Sequence, residues 1–221
     1  MECKAGPLEA RSEWARLESE ILNCTRCRLH TSRRKAVPGE GNVSSQVVFI
    51  GEAPGEKEDE AGRPFVGPAG KLLTELIELI GFKREDFYIT NVIKCRPPGN
   101  REPQDDEIEA CLPYLIRQLQ LIKPKLIVAL GRHAGRTLFR LIGLKWTSIT
   151  ASHGHVFHGK IAGLSVKVVP TYHPASALYN PSLKKTLEED FKKSIKPAIE
   201  EALSLSPKRH YKTLFDFMHH R

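Results

Sequence analysis

Four short apolar runs recur along the chain, and each is followed by a segment whose apolar residues have helical spacing. Runs of this kind, apolar on both faces, are typical of strands in a parallel sheet. Strands that alternate with helices indicate an α/β fold in which helices cover both faces of the sheet. We therefore expect a three-layer α/β/α sandwich with a central four-stranded parallel sheet. The predicted strands are Val47–Ile50, Phe87–Lys94, Leu126–Leu130 and Val166–Val169.

The helical segments complete a pattern that suits one domain. The chain has 221 residues, 40% of them hydrophobic, which is enough for one full core. We expect a single domain over 1–221, with a core at about 12–203 and a basic tail at 204–221. The segment 153–170 predicts a β-hairpin. The predicted helices are Ser12–Leu22, Leu72–Ile80, Asp105–Ile122, about His133–Ile142 and about Leu183–Leu203.

The charge of the chain favours a polyanionic partner. Its formal net charge is +8, and a basic domain of this kind most often binds nucleic acid. No apolar run approaches the length of a membrane-spanning helix. The first residues also lack the apolar region of a signal peptide. We therefore expect a protein of the cytoplasm or nucleoid that does not associate with a membrane.

The segment Gly51–Gly70 is the most unusual stretch of the sequence. It follows the first predicted strand, is rich in glycine, proline and acidic residues, and contains one aromatic side chain, Phe65. A long irregular loop in a compact domain is usually functional, and glycines let the backbone approach a ligand closely. We expect this loop to form part of a binding site; the alternative is an acidic surface loop.

Polar residues stand at the ends of three predicted strands. Glu52 follows the first strand, Asn91 lies within the second, and His173 follows the fourth. In a parallel sheet, ligands bind beyond the carboxyl ends of the strands, so these side chains are expected to meet in one site. Asn91 has two interpretations, a hydrogen-bonded core residue or a group that reads a ligand.

Four of the five cysteines form a C-x2-C…C-x15-C pattern, and Cys3 stands apart near the N-terminus. Four thiolates fit either a tetrahedral zinc ion or a [4Fe-4S] cluster, and the spacing does not choose between them. Either group would join the segment before the first strand to the segment after the second. The third interpretation is a set of buried, unpaired thiols. The four residues are Cys24, Cys27, Cys95 and Cys111.

Five short motifs together resemble one protein family. They are Gly51–Gly55 (GEAPG), Gly62–Gly67 (GRPFVG), Thr90-Asn91, Lys94–Pro98 (KCRPP) and His173–Ala175 (HPA). Over roughly residues 12–203 the chain is similar to the family 4 uracil-DNA glycosylases, which are thermostable enzymes with an iron–sulfur cluster. The combination of motifs is specific, whereas the His-Pro pair alone would carry little information.

The resemblance implies an α/β/α fold, removal of uracil from DNA, and a [4Fe-4S] cluster on the four cysteines above. The implied substrate is uracil-containing DNA, single- or double-stranded. We expect a monomer, and a sliding clamp is left open as a further partner. The implied uracil pocket consists of Gly51, Glu52, Ala53, Phe65, Asn91 and His173, of which Glu52, Asn91 and His173 are the implied catalytic residues.

Each implied residue suits a step of uracil removal. The nucleotide must be flipped out of a duplex, Phe65 can stack on the base, and Asn91 can read its N3 and O4 edge. A neutral His173 can donate a hydrogen bond to O2, where the negative charge of the departing uracil gathers. Leu178 can act as an apolar wedge that fills the gap left in the DNA stack.

Two positions leave questions open. In the best-known uracil glycosylase family an aspartate stands at the position of Ala53, so the group that positions the attacking water is open between Glu52, Glu58 and Asn91. The sequence of the loop after His173 also differs from that of many family members, and this difference affects the wedge role of the loop. The alternatives to an enzyme are a cluster-bearing module that binds uracil or abasic DNA without turnover and a nucleotide-binding protein braced by zinc.

Overall fold

The computed structural model of the chain describes residues 7–204, with side chains described from residue 11 onward. The predicted basic tail therefore lies outside the described residues, except for Ser204. The division of the chain into one domain stays a prediction for the full length. None of the described helices has the length and apolar character needed to cross a bilayer.

One sheet of six strands runs through the described part of the chain. The strands are β1 (Glu40–Gly41), β2 (Val47–Gly51), β3 (Tyr88–Asn91), β4 (Leu126–Leu130), β5 (Phe157–Ile161) and β6 (Leu164–Thr171). Their spatial order is β1-β3-β2-β4-β6-β5. The four central strands pair in parallel, and the two edge strands pair antiparallel.

The sheet has two strands more than the four that were predicted, because an antiparallel strand is added at each edge. β1 has only two residues, too few for a strand period to show in the sequence. β5 forms the predicted hairpin with β6, and its half-buried and exposed residues alternate, as expected for a strand with one solvated face. The short and half-solvated edges leave the buried parallel strands in the middle of the sheet.

Nine α-helices occur among the described residues, and most of them lie between strands. They are α1 (Pro7–Leu22), α2 (Glu56–Ala61), α3 (Pro68–Leu79), α4 (Asp105–Ile122), α5 (Arg132–Leu141), α6 (Ile149–Ser152), α7 (Pro174–Tyr179), α8 (Pro181–Asp190) and α9 (Lys196–Ser204). The bounds of α4 are those predicted from the sequence.

Several helices differ from the sequence-based expectation; α3, for example, begins at Pro68 rather than at Leu72. α1 begins at Pro7 rather than at Ser12, and proline is favoured in the first turn of a helix. α2 lies inside the loop that was expected to be irregular; Gly62, with a φ of +74°, ends it in the left-handed conformation. The last predicted helix is divided into α8 and α9 by a π-helical turn at Phe191–Ile195.

Helices pack on both faces of the sheet, which confirms the three-layer arrangement. On one face, Val48 and Ile127 share a buried core with residues of α1, α4 and α5. On the other face, Phe49 and Val128 pack with residues of α3, α8 and α9. Adjacent residues of each central strand therefore point into different cores, and both cores are apolar.

The central strands end at one edge of the sheet, and this edge carries the polar residues noted above. β3 ends at Asn91 rather than at Lys94, because the chain bends there towards the turn after β2. The amides of Val92 and Ile93 donate to the carbonyls of Gly51 and Glu52, at 2.9 and 3.1 Å. The turn after β2 and the end of β3 are thus fixed to each other through the backbone.

Candidate active site

A cavity of about 290 Å³ lies beyond the carboxyl ends of β2, β3 and β6. It brings together residues that are far apart in the sequence and come from three strand ends and the loop after β2. Five of the six residues that the sequence assigned to the pocket line this cavity: Glu52, Ala53, Phe65, Asn91 and His173.

Gly51, the sixth residue, lies directly behind the cavity wall. A Cβ atom at this position would be 2.4 Å from the Oδ1 of Asn91 and 2.6 Å from the Cζ of Phe65. Both distances are far below van der Waals contact, so the ring and the amide are packed against the bare backbone of β2. Only glycine allows these two side chains to take their places at the end of the strand.

Asn91 presents an unpaired acceptor. Its side chain is 2% exposed, and its Oδ1 has no hydrogen-bond partner among the described residues. A buried polar atom without a partner costs roughly 1–3 kcal/mol. Buried orphans of this kind call for a specific explanation, and a ligand that donates a hydrogen bond to Oδ1 supplies one.

His173 is a neutral ring with its remaining N–H available. The backbone N–H of Ala175 donates to His173 Nδ1 at 3.1 Å, so Nδ1 carries a lone pair and the proton of the neutral ring resides on Nε2. Burial lowers the pKa of His173 to about 4, although the nearby carboxylate of Glu58 acts in the opposite direction. At neutral pH the ring is therefore an uncharged hydrogen-bond donor that borders the cavity.

Phe65 lies beside this ring in a strained backbone conformation. The two ring centroids are 5.7 Å apart with an interplanar angle of 27°. The φ of Phe65 is +52°, a conformation that non-glycine residues adopt at a cost and that often marks functional sites. Neighbouring groups hold it in place: Glu58 Oε1 accepts from the amides of Val66 and Gly67, both at 2.8 Å.

Two acidic residues of α2, Glu58 and Asp59, therefore face the protein, whereas Glu56 is exposed. Glu58 lines the cavity while its Oε1 holds the Phe65 loop. Asp59 is 1% exposed and accepts from the amides of Arg34 and Lys35, which joins the basic segment to the loop. The interpretation of this stretch as an acidic surface loop does not fit these contacts.

Glu52 lies near a histidine that the sequence reasoning missed. Burial raises the pKa of Glu52, and the positive charge of His133 opposes that effect. His133 Nε2 lies 4.0 Å from Glu52 Oε2 and 3.1 Å from Glu102 Oε2. His133 is the third residue after β4, so the rule that strand ends carry ligand-facing residues would have found it.

The four cysteines of the pattern line a second cavity on the α1 and α4 side of the sheet. None of them is in a disulfide bond. N–H groups point at three of the sulfurs: Arg33 Nη1 donates to Cys95 Sγ at 3.0 Å, and the amides of Lys94 and Arg26 donate to the sulfurs of Cys111 and Cys24. The lining cysteines are Cys24, Cys27, Cys95 and Cys111.

Comparison with known proteins gives a consistent result. The model of the uracil DNA glycosylase superfamily matches residues 38–198. A type-4 uracil-DNA glycosylase of Sulfurisphaera tokodaii is 52% identical over 196 residues, which are 88% of this chain and 86% of that protein. A type-4 enzyme of Thermotoga maritima is 46% identical over 190 residues, 83% of this chain and 94% of that protein. The chain belongs to the type-4 uracil-DNA glycosylases.

Type-5 enzymes are more distant relatives of this type-4 chain. A type-5 uracil-DNA glycosylase of Pyrobaculum aerophilum is 28% identical over 188 residues, 71% of this chain and 80% of that protein. The family identified from the five motifs is therefore confirmed. The comparisons do not test the individual roles of the site residues, which remain predictions.

The cysteine cavity of this type-4 chain is lined by four thiols, the donor set that a zinc ion or an iron–sulfur cluster would use. No group of three or more His, Cys, Asp or Glu side chains between residues 11 and 204 is arranged to hold one metal ion. Burial raises the pKa of Cys111 to about 12, so thiolates here require nearby positive charge.

The remaining sequence-assigned residue of this type-4 chain, Leu178, lies on α7, which begins directly after His173. Leu178 is 49% exposed and its neighbour Tyr179 is 89% exposed. Large apolar side chains with this much exposed area are available to contact a partner such as DNA. The wedge role of Leu178 stays a prediction.

Proposed function

We propose that the chain removes uracil from DNA as a monofunctional glycosylase, which hydrolyses the N-glycosidic bond and leaves an abasic site for base excision repair. The named relatives carry out this class of reaction. The single observation that carries the proposal is that one cavity is lined by both Asn91 and His173. Asn91 has a buried Oδ1 without a hydrogen-bond partner among the described residues, and His173 is a neutral donor.

Recognition begins when the uracil nucleotide leaves the DNA stack. A base that is stacked inside a duplex cannot enter this cavity. The nucleotide must therefore be flipped out, which costs a few kcal/mol. Phe65 provides a flat wall for the extruded base, and stacking on an aromatic ring contributes roughly 1–3 kcal/mol. Leu178 would fill the vacated space between the neighbouring bases and offset part of the cost of flipping.

Asn91 distinguishes uracil from cytosine. The N3–H of uracil donates to the unpaired Oδ1, and the amide N–H of Asn91 donates to O4. Cytosine has no N3–H and carries an amino donor in place of O4, so both polar groups of Asn91 would remain unpaired. Sites built to hydrogen-bond one edge reject the wrong base strongly for this reason.

His173 stabilises the departing base. As the glycosidic bond breaks, uracil becomes an anion with part of its charge on O2, and the Nε2–H of His173 donates to that oxygen. The backbone amides of the Glu52-Ala53 turn would add further donors. One preorganised donor of this kind contributes about 2.7–4 kcal/mol to transition-state stabilisation.

Glu52 positions the attacking water. Three groups were left open by the sequence, and the contacts favour one of them. Glu58 uses Oε1 to hold the Phe65 loop, and Asn91 faces the base. Glu52 lines the cavity, lies close to His133, and has a carboxylate that is free to orient water and to stabilise the cationic sugar.

A [4Fe-4S] cluster on Cys24, Cys27, Cys95 and Cys111 completes the proposal. The chemistry of four thiol donors around one cavity, with N–H groups directed at three sulfurs, suits such a cluster. When bound, the cluster would join the segment after α1 to β3 and α4 through iron–sulfur bonds. No step of the uracil chemistry is assigned to it.

The proposal also covers the oligomeric state, the DNA substrates and the location of the protein. The protein would act as a monomer, on uracil in both single- and double-stranded DNA, in association with the nucleoid. The net charge of +8 supports DNA as the partner, because basic surfaces are attracted to phosphates. A sliding clamp remains an untested further partner.

The test is release of uracil from defined DNA. The protein is incubated with oligonucleotides that contain one uracil, single- or double-stranded, and abasic sites are then cleaved with alkali. Strand scission at the uracil position is the expected result. Tight binding without any released uracil would instead support the non-catalytic module, the candidate that the alanine at position 53 favours.

A further inference from the structure

A buried lysine lies between the uracil pocket and the cysteine cavity. Lys94 is 1% exposed and belongs to the lining of the cysteine cavity. Its ammonium group points back along the chain, where it donates to Thr90 Oγ1 at 2.6 Å and to the backbone carbonyl of Asn91 at 2.7 Å. The side chain thus contacts the residue that reads uracil.

The ammonium group has no carboxylate partner among the ion pairs of the described residues. Sulfur atoms lie next to this residue instead: its backbone amide donates to Cys111 Sγ at 3.3 Å, and Cys95 follows it in the chain. A buried charge without a counter-charge is strongly unfavourable. A cluster held by four thiolates carries net negative charge, so a bound cluster would supply the counter-charge that no carboxylate among the described residues provides.

The backbone between the two cavities is short and well fixed. Asn91 and Cys95 are four residues apart, one at each cavity. The intervening amides of Val92 and Ile93 are bonded to the carbonyls of Gly51 and Glu52. The side chain of Lys94 closes the remaining gap, because it ties the cysteine end of this segment to the carbonyl of Asn91.

We propose that Lys94 is a positioning residue that couples the cluster to base recognition. The ammonium would be held by the negative charge that a bound cluster brings, and it fixes the backbone carbonyl of Asn91. The direction of the Asn91 amide, which excludes cytosine, would be fixed in this way. This inference rests on the proposed uracil excision and on the proposed cluster. It gives the cluster a part in specificity without any electron transfer or bond change.

The test compares two cations beside the same sulfur atoms. Lys94→Met removes the ammonium and keeps the length of the side chain, whereas Arg33→Met removes the guanidinium that donates to Cys95 Sγ but does not contact Asn91. Three quantities are measured: visible cluster absorbance per protein, the cluster reduction potential from a redox titration, and single-turnover rates of excision from uracil- and cytosine-containing oligonucleotides.

Both variants should shift the reduction potential to more negative values, because each loses a positive charge next to the cluster. Only Lys94→Met should weaken base discrimination, with the ratio of uracil to cytosine excision falling by about tenfold, within the usual range of coupling between sites. A Lys94→Met protein with wild-type discrimination would overturn the inference. Equal losses of discrimination in both variants would also overturn it, since they would indicate a general loosening.

A further variant covers failure of Lys94→Met to fold. Thr90→Val removes one acceptor of the ammonium and leaves all charges in place, so it should lower discrimination without moving the potential; a wild-type ratio here would refute the coupling. The proposed function is judged separately on the wild-type protein. Absent uracil release would refute that function, and absent cluster absorbance would refute the proposed cluster; either result would refute this inference before any variant is compared.

Discussion

The uracil pocket takes its side chains from the ends of parallel strands, whereas the cysteine cavity takes its thiols from separate segments. Gly51 and Asn91 are the last residues of β2 and β3, and they are paired in the sheet. Cys24 follows α1, Cys95 follows β3, and Cys111 lies within α4. No strand pairing joins these cysteine segments to one another among the pairings of the described strands.

This difference teaches which part of the molecule sets its own geometry. The pocket is held by the hydrogen bonds of the sheet, by a glycine that admits two side chains, and by a carboxylate that fixes the Phe65 loop. The cysteine cavity is held by apolar packing and by whatever binds the thiols, because burial raises the pKa of the Cys111 thiol to about 12. We therefore expect substitutions in the pocket to alter catalysis with little effect on stability. Substitutions in the cysteine cavity should lower stability with little effect on uracil release.

The largest effect is expected for His173→Ala. Loss of the O2 donor should lower the single-turnover rate by roughly 100- to 1000-fold, while DNA affinity, cluster absorbance and unfolding temperature stay near wild type. The exposed His158 provides the matched control, and His158→Ala should behave as wild type. Equal losses of rate and affinity would contradict a role confined to the transition state.

Glu52→Gln should have the second-largest effect and lower the single-turnover rate roughly 100-fold, which is typical of removing an acid–base group. Burial raises the pKa of Glu52, and the ionised form is the one that orients water. The wild-type rate should therefore fall with decreasing pH, at a value above the ordinary range of a glutamate. His173, with a pKa of about 4, stays neutral there and does not contribute.

The measurement for Glu52 is a pH–rate profile under single-turnover conditions. The acidic limb should be present in the wild type and absent in Glu52→Gln. An identical limb in both proteins would assign the titration to another group and would leave the water-positioning role of Glu52 without support.

Asn91→Asp should lower the ratio of uracil to cytosine excision by roughly 10- to 100-fold. This is the factor expected when one or two polar groups gain or lose a hydrogen bond. A carboxylate has no N–H to offer O4 of uracil and accepts from the amino group of cytosine. Excision rates from matched uracil and cytosine oligonucleotides measure the ratio. Asn42→Asp, at an exposed position between β1 and β2, is the control, and unchanged cytosine rejection in Asn91→Asp would count against edge reading.

Cys111→Ser tests the other half of the comparison. The variant should lose visible absorbance and unfold at lower temperature, with a loss of about 4 kcal/mol or more in the free energy of unfolding, the size reached when a metal group is lost. Below its unfolding temperature it should still release uracil, although with poorer rejection of cytosine. Complete loss of activity in a folded variant would show that the pocket does not set its own geometry.

The smallest effect is expected for Leu178→Ala. The wedge acts only where a stack must be opened, so excision from duplex DNA should fall several-fold and excision from single strands should not change. Leu79 has similar exposure, 45% against 49%, and Leu79→Ala serves as the control. A similar loss on single- and double-stranded substrates would exclude the wedge role.

Much of the fold could be predicted because local signals agreed with tertiary packing. β4 and α4 have the bounds that their apolar patterns and flanking residues indicate. The end of β3 could not be placed, because Val92 and Ile93 have strand-like side chains, yet the chain bends there so that Lys94 can reach back to Asn91. Such a contact depends on three-dimensional proximity and leaves no periodic signal.

The functional site also contains residues that could be predicted from the sequence and residues that could not. Residues at strand ends, Glu52, Asn91 and His173, could be assigned to one pocket from topology alone. The partners that tune them could not be assigned in this way. Glu58 was read as a solvated or water-positioning group, but it holds two amides of the Phe65 loop. His133 follows β4, so the strand-end rule could have named it, but its proximity to Glu52 depends on the fold and could not be predicted.

The bare backbone at Gly51 has a consequence for attempts to change which lesion this protein repairs. The amide of Asn91 and the ring of Phe65 both rest on that one residue, within 2.4 and 2.6 Å of where a methyl group would sit. Any added carbon there would move both at once and would blur selectivity and base stacking together. Mutant libraries that aim at a new damaged base should therefore hold position 51 constant and vary the amide alone.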